Sequence, residues 1–271
     1  MRLMTVTLGT SAALTLGLGL LASTAAFALD TTRLPPKDVS FSFDGPFGTY
    51  DRGALQRGYQ VYKEVCSACH SAQHLAFHNL DEPGGPEFTE AQARALATAA
   101  KVPADPNDKG ETVDDKGVTL MRSATLADHF PSPFPNENAA RANNGGALPP
   151  DLSMVVKARE GGPQYVYSIL TGFGGHAPAG FKVIDGKYYN PYFEGWNISM
   201  PPPLKDGTVT YSDGTKATVD QEAHDVVTFL AWASEPKMEE RKRFGFGAMA
   251  FLVLLAGVLF AAYRRIWKDA H

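Results

Sequence analysis

The chain has 271 residues, of which 44% are hydrophobic and 20% are charged, and its net charge is −4 at pH 7. This composition is that of a globular protein, and the length allows one large domain or two small ones. The charge is uneven, because residues 29–236 carry 17 basic and 26 acidic side chains, a net charge of −9. A field of that sign attracts basic partners and argues against nucleic-acid binding.

The N-terminus has the pattern of a secretory signal peptide. Arg2 precedes an apolar stretch from Leu8 to Leu21, and Ala26-Phe27-Ala28 fits a cleavage site. Residues 1–28 are therefore predicted to be a signal peptide, with an uncleaved anchor as the alternative. In either case the domain that follows, residues 29–236, is expected to be exported.

The first predicted helix begins after Asp51 and runs to about Val65. It follows a proline-rich, aromatic stretch, residues 29–50, that is expected to form a loop packed on the domain surface. One face of the helix is apolar and carries Leu55, Tyr59, Tyr62 and Val65. Gly58 would let a second helix approach this one closely.

This helix leads directly into Cys66-Ser67-Ala68-Cys69-His70, which contains the only two cysteines of the chain. A C-x-x-C-H sequence (here the haem motif) is the signature of covalent haem attachment, in which both thiols add to vinyl groups and the imidazole binds the iron. A thioredoxin-like site would need a βαβ context, a four-cysteine zinc site would need a second pair, and a chance match is the remaining alternative. His74 and His78 could not reach the opposite haem face from the same helix, so they are interpreted as structural or surface residues.

Residues 86–100 predict a second helix, with Thr89 and Gln92 as its capping box. Residues 101–117 are charged and contain Pro and Gly, which indicates a loop. Its acidic side chains are interpreted as solvated, although they could contribute to a docking surface.

The stretch from 130 to 150 also has the composition of a loop. Pro163 and Gly172 bracket a short helix. Residues 173–216 contain many Gly, Pro and aromatic residues, and two Asp-Gly pairs could form short hairpins, at Asp185-Gly186 and Asp213-Gly214.

A last amphipathic helix is predicted from Thr218, which forms a second capping box with Gln221, to Pro236, which stops it. Its apolar face consists of Val219, Ala223, Val226, Val227 and Leu230.

Phe244 to Tyr263 is an uncharged stretch of 20 residues, enough for about 30 Å of helix, one hydrocarbon thickness. A transmembrane helix is therefore predicted at 244–263, between a basic juxtamembrane segment (237–243) and a tail (264–271), with a buried core helix as the alternative. Basic residues flank both sides, so the signal peptide decides the orientation and places the tail in the cytoplasm.

The iron of an electron carrier usually needs a second axial ligand. Met200 precedes Pro201-Pro202-Pro203, and the fixed φ angles of these prolines make a stiff loop that could hold a thioether at the iron. Such a ligand opposite an imidazole raises the reduction potential. Met154 is expected to pack in the core, and Met121 has no comparably rigid setting. An open site stays an alternative, as do two histidines, His129 and His176.

Several stretches are more specific than the haem motif, which alone indicates only a c-type cytochrome. They are Arg57 to Tyr62 leading into that motif, Ala142 to Ser153 with its Pro-Pro-Asp-Leu-Ser, Tyr189 to Gly195 on to Met200-Pro201-Pro202-Pro203-Leu204, and Asp213 to Pro236 with Arg241-Lys242-Arg243. In this order they resemble the cytochrome c1 family over most of residues 40–268. The resemblance implies a mainly α fold, a class I cytochrome c-like haem domain with long loops and one C-terminal transmembrane helix.

The resemblance also implies a site. One haem c would be bound covalently, with Met200 as the sixth ligand. Arg159 would pair with a propionate, a solvated surface arginine being the alternative. The residues implied near the haem are Cys66, Cys69, His70, Met200, Arg159 and Tyr165. The family's extra cysteine pair, present in some bacterial members, is absent, so residues 172–199 must be held without a disulfide, and an extra glycine stands at Gly145-Gly146.

By the same resemblance, the chain passes single electrons from the Rieske iron–sulfur protein to a basic cytochrome c, soluble or anchored. It would do so beside cytochrome b in a dimeric bc1 complex, with the haem domain on the periplasmic side of a bacterial inner membrane. Alone it would be an electron carrier; the enzyme would be the whole quinol–cytochrome c oxidoreductase. Two alternatives are an anchored c-type cytochrome of another system, such as an oxidase subunit, and a haem sensor or peroxidase with an open distal site.

Overall fold

A computed structural model describes residues 32–268, so the predicted signal peptide lies outside the described residues. The described part is mainly α-helical, with long irregular connections, which confirms the predicted fold class. Its helices are α1 Arg52–Glu64, α2 Glu90–Ala99, α3 Glu137–Asn143, α4 Val155–Ala158, α5 Gly162–Thr171, α6 Val219–Ser234 and α7 Met238–Ile266.

The β structure in the described residues consists of two short antiparallel pairs and two isolated bridges, Ala76–His129 and Val113–Thr119. Strand β1 (Lys101–Pro103) pairs with β2 (Met121–Ser123), and β3 (Tyr188–Tyr189) pairs with β4 (Asn197–Ile198). Three 3₁₀ turns complete the regular structure, at Cys66–Ala68, Phe77–Leu80 and Glu194–Trp196.

The crossing of α1 and α6 forms the centre of the domain, and Gly58 makes it possible. A Cβ atom on Gly58 would lie only 2.1 Å from the backbone oxygen of Asp225, so a side chain there would push the helices apart. The guanidinium of Arg57 donates two hydrogen bonds to the buried carboxylate of Asp225, at 2.9 and 3.1 Å. The close approach that the glycine predicted is therefore present, and an ion pair fixes it.

Local capping signals place the helix ends well. The carboxylate of Asp51 accepts a hydrogen bond from the Ala54 amide, and Thr89 and Gln92 form the reciprocal capping box at α2. At α6, Thr218 accepts from the Gln221 amide, but the Gln221 side chain bonds to Asp225 instead of returning to Thr218. Only half of that predicted capping box forms, because the buried carboxylate of Asp225 binds the side-chain amide of Gln221.

Several loop predictions need correction. Strand β1 lies inside the predicted loop 101–117, and α3 lies inside 130–150. Neither Asp185-Gly186 nor Asp213-Gly214 forms a hairpin; each lies in an isolated turn, and the β3–β4 pair is instead joined by residues 190–196. Strand β1 depends on pairing with β2, about 20 residues further along the chain, which the local composition does not encode. Helix α3 does have a local signal, because Asn136 caps it by accepting from the Ala139 amide.

The aromatic stretch before α1 forms the expected packed loop, and several of its side chains reach the core. Phe41, Phe43 and Tyr50 are buried in the core, and the Tyr50 hydroxyl donates to backbone oxygens of α6 and its C-cap at 3.2 Å. Met154, expected in the core, has 41% of its surface exposed at the start of α4. That short helix turns its other face, with Val156, towards the core.

Helix α7 has 29 residues, about 43 Å of helix, and a mean hydropathy of 2.4 in its most apolar window, none of which is buried against the rest of the described chain. It is long and apolar enough to cross a membrane. The helix begins at Met238 with Lys237 as its N-cap, so the basic segment 237–243 is continuous with the helix that carries the apolar stretch.

Candidate haem site

One cavity of about 660 Å³ lies between the haem motif, α4 to α6 and the segment after β4. All six side chains that the sequence analysis implicated line this cavity: Cys66, Cys69, His70, Arg159, Tyr165 and Met200. Residues from widely separated parts of the chain therefore meet at a single site.

The cavity walls are mainly apolar. Helix α5 contributes Val166, Ile169 and Leu170, and α6 contributes Val226 and Leu230. The volume is within the range of small-molecule and cofactor sites in proteins. Two thiols, an imidazole and a thioether in a pocket of this size and polarity are the donor set that haem c requires, so the residues present fit that group.

The imidazole of His70 is oriented by the backbone. Its Nδ1 donates to the carbonyl oxygen of Pro150 at 2.8 Å, which leaves Nε2 unprotonated and available as a ligand. Burial lowers the pKa of His70, which favours the neutral ring. Burial also raises the pKa of the Cys66 thiol to about 12.

The segment that carries Pro150 is itself fastened to the residues after the haem motif. The carboxylate of Asp151 accepts hydrogen bonds from Ser71 Oγ at 2.7 Å and from the Gln73 amide at 2.9 Å. The Leu152 amide donates to the Ser71 backbone oxygen at 2.8 Å. Sequence reasoning missed this role of Asp151, although Pro-Pro-Asp-Leu-Ser was recognised as a specific stretch.

Met200 follows β4 and lines the cavity with a half-buried side chain. The loop before it is held without a disulfide. Asn190 is fully buried. Its side-chain Nδ2 donates to the Ile169 backbone oxygen at 2.8 Å, and its backbone N–H donates to the Trp196 oxygen at 3.1 Å. Phe181, Tyr189 and Trp196 pack edge to face. A buried amide and an aromatic cluster thus replace the missing cross-link.

The other side chains considered for the sixth ligand lie elsewhere. They are exposed and do not line the cavity: Met121, Met154, His129 and His176. His74 and His78 are also exposed, as interpreted from the sequence, and His78 lies 3.5 Å from the carboxylate of Glu82.

Arg159 and Tyr165 lie at one edge of the cavity. The Arg33 guanidinium stacks over the Tyr165 ring at 4.9 Å and pairs with Glu160 at 2.9 Å. Within residues 32–268, the guanidinium of Arg159 makes no ion pair or hydrogen bond, so it is free to meet an anionic group in the cavity.

The turn at Gly145-Gly146 forms another part of the rim. Both residues have positive φ angles, 58° and 87°, a region that favours glycine. The extra glycine noted in the sequence is therefore required by the backbone of this turn.

A mainly α domain with a C-x-x-C-H motif on the wall of an apolar cavity, followed by a membrane-length helix, defines the class of membrane-anchored c-type cytochromes. Comparison with known proteins narrows the class. A model of the Cytochrome C1 family matches residues 41–270. The chain therefore belongs to the cytochrome c1 family, whose members carry a covalently bound haem c and serve as the electron-transfer subunit of the cytochrome bc1 complex.

Individual relatives agree with this assignment. The chain is 46% identical to cytochrome c1 of Rhodospirillum rubrum over 244 residues, which cover 84% of this chain and 86% of the relative. It is 48% identical over 212 residues to the mitochondrial cytochrome c1 haem protein of Kluyveromyces lactis, covering 78% and 69%. It is also 48% identical over 254 residues to cytochrome b/c1 of Bradyrhizobium diazoefficiens, covering 87% of this chain but only 36% of that longer relative.

Proposed function

We propose that this chain carries single electrons from a Rieske iron–sulfur protein to a basic cytochrome c, through a haem c that Cys66 and Cys69 would attach and His70 and Met200 would ligate. The observation that carries the proposal is that these four side chains line one apolar cavity. Bound there, haem c supplies a one-electron couple. No side chain of this protein has to act as an acid, a base or a nucleophile.

The chain contributes orientation and environment. Pro150 fixes the ring of His70, and the prolines after Met200 limit the movement of the thioether. The apolar walls exclude water, and a methionine ligand raises the reduction potential. Arg159 is proposed to pair with a propionate, for which a planar guanidinium is well suited, and Tyr165 is proposed to lie near the haem at the same edge.

We also propose a topology. Residues 1–28 would be the signal peptide, 29–236 the periplasmic haem domain, 237–243 the juxtamembrane segment, 244–263 the span and 264–271 the cytoplasmic tail. Cytochrome b is the expected neighbour, which the names of two relatives support: the fused cytochrome b/c1 and a cytochrome b-c1 complex catalytic subunit of Candida albicans. The assembly is proposed to be dimeric.

The test is purification of the tagged chain from its native membrane. Cytochrome b and a Rieske protein should copurify with it, and the preparation should reduce cytochrome c when quinol is added. Copurification with terminal oxidase subunits instead would contradict the proposal. Rapid carbon monoxide binding by the reduced protein would contradict a methionine-closed site.

A further inference from the structure

A short loop lies beside the start of the anchor helix. We call residues 43–48 the juxtamembrane loop. At its tip, Phe47 has 80% of its surface exposed, the highest value for a large apolar side chain in the described part of the chain. Its ring stacks on Phe246 of α7, with ring centroids 4.9 Å apart and planes at 7°. Exposing a phenyl ring to water does not stabilise a surface loop, so the position of this ring requires an explanation.

Four contacts, made by three residues of α7, join this loop and the neighbouring Tyr50 to one face of the helix. The Glu239 carboxylate accepts from the Tyr50 amide at 2.8 Å, and Lys242 Nζ donates to the backbone oxygens of Phe43 and Gly48, both at 2.8 Å. The Phe47–Phe246 stack follows one turn further along. Positions 239, 242 and 246 share a helix face, so the loop is fastened along the helix in a defined register.

This register fixes the depth of the loop relative to the membrane. The uncharged stretch begins at Phe244, so Phe246 lies roughly 3 Å further along the helix axis than its first residue. The ring stacked on Phe246 is therefore level with the first apolar turn, where aromatic side chains suit the boundary between headgroups and hydrocarbon. Arg243, exposed and close by, can pair with lipid phosphates at the same level.

We propose that the juxtamembrane loop docks on the lipid bilayer that α7 crosses, with the Phe47 ring inserted at the interface. The inference rests on α7 being the membrane span of the proposed function. Lipid is the occupant that the geometry favours, because the exposed ring is continuous with the lipid-facing surface of α7. The loop would give the haem domain a second attachment to the membrane and limit its tilt about the anchor.

The first test uses the full-length, haem-loaded chain in nanodiscs of phosphatidylcholine and phosphatidylglycerol. Both native cysteines are consumed by haem attachment, so Phe47→Cys offers a single site for a nitroxide spin label. We expect the label to collide more with oxygen than with a water-soluble nickel chelate. Its collision ratio should lie between that of Leu252→Cys in the apolar stretch and that of Val118→Cys on the domain surface.

A ratio at position 47 equal to that at 118 would overturn the inference. A water-exposed label at 252 would instead show that α7 does not span, which is a failure of the proposed function.

The second test uses the intact complex in native membranes, with the photoreactive analogue p-benzoylphenylalanine in place of Phe47. Because the analogue keeps the phenyl ring, it should retain the stack on Phe246. We expect lipid adducts, detected by mass spectrometry. A cross-link from position 47 to another subunit would overturn lipid as the occupant and assign the loop to a protein interface.

Discussion

His70 depends on a carbonyl oxygen whose position is set by a second residue. Pro150 accepts the Nδ1 hydrogen, and Asp151 ties the Pro150 segment to Ser71 and Gln73. The two parts of the chain are about 80 residues apart in sequence. A change at Asp151 should therefore loosen the support of the imidazole without touching the ligand itself.

We expect Asp151→Ala to lower the free energy of unfolding by about 1–3 kcal/mol, because the Ser71 hydroxyl and the backbone amides of Gln73 and Ser153 lose their acceptor. Asp151→Asn should cost less, since an amide oxygen can still accept. Chemical denaturation of the haem-loaded chain in detergent would measure both, with the exposed Asp115→Ala as the control. The account is contradicted if Asp151→Ala behaves like that control.

The chemical roles of single residues could be predicted from the sequence, but the contacts that hold those residues in place could not. The C-x-x-C-H motif and the rigid setting of Met200 are local patterns, so they could be predicted from the sequence. The contact of Asp151 with Ser71 depends on tertiary folding and carries no local signal. The exposure of Met154 was mispredicted for the same reason.

At the scale of elements, the α1–α6 crossing can be tested at its closest point. Gly58→Ala would place a Cβ 2.1 Å from the Asp225 oxygen, which is backbone and cannot move aside cheaply. We expect a loss of about 1–3 kcal/mol or more of unfolding free energy.

Gly53→Ala is the matched control in the same helix. Its Cβ would meet no backbone atom; its nearest contacts are Asp51 Oδ1 at 3.2 Å and Arg57 Nη1 at 3.3 Å, which need to shift by only a few tenths of an ångström. It should be neutral or stabilise by up to about 1 kcal/mol, because alanine favours helix. Thermal unfolding of both variants would measure the two changes in stability. Equal losses of stability in Gly58→Ala and Gly53→Ala would argue against the close crossing of α1 and α6.

The junction between the haem domain and α7 should depend on pH. Hydrogen bonds from Arg52, at 2.8 and 2.9 Å, hold the pKa of Glu239 below its usual range. A depressed pKa contributes stability above the unfolded value of about 4.3, and that stability is lost as pH falls through the folded value.

Glu239→Gln should therefore lower stability by on the order of 1 kcal/mol at pH 7, since the pair is partly exposed. The difference from the natural sequence should shrink as pH falls below about 4. Thermal midpoints measured from pH 3.5 to 7 would follow this change. A difference that stays constant with pH would show that the ion pair is not its source.

Whole elements were predicted well where capping residues and periodicity agreed, as in α1, α2, α5 and α6. Helix α3 and the four strands are two to seven residues long, too short for hydrophobic periodicity to show, although Asn136 caps α3 by accepting from the Ala139 amide. Gln221 illustrates the limit of local rules, because a buried carboxylate takes the side chain that the capping box would have used.

For the whole molecule, the charge of residues 29–236 sets the kinetics of association. With 26 acidic and 17 basic side chains, this region should attract a basic cytochrome c over long distances. We expect the bimolecular rate to fall steeply as ionic strength rises from about 0.01 to 0.15 M, because the Debye length shortens from about 30 to 8 Å. Stopped-flow measurement of acceptor reduction at several salt concentrations would show this fall. With an uncharged oxidant as the control, the rate should not change with ionic strength.

The central claim is that sulfur from Met200 completes the coordination of a haem attached at Cys66 and Cys69. The most direct measurement is the spectrum and midpoint potential of Met200→Leu beside the natural sequence. We predict that the substitution abolishes the charge-transfer band of an iron–thioether pair and lowers the midpoint potential, while the thioether-bound pigment is retained. An unchanged band and an unchanged potential would contradict the assignment.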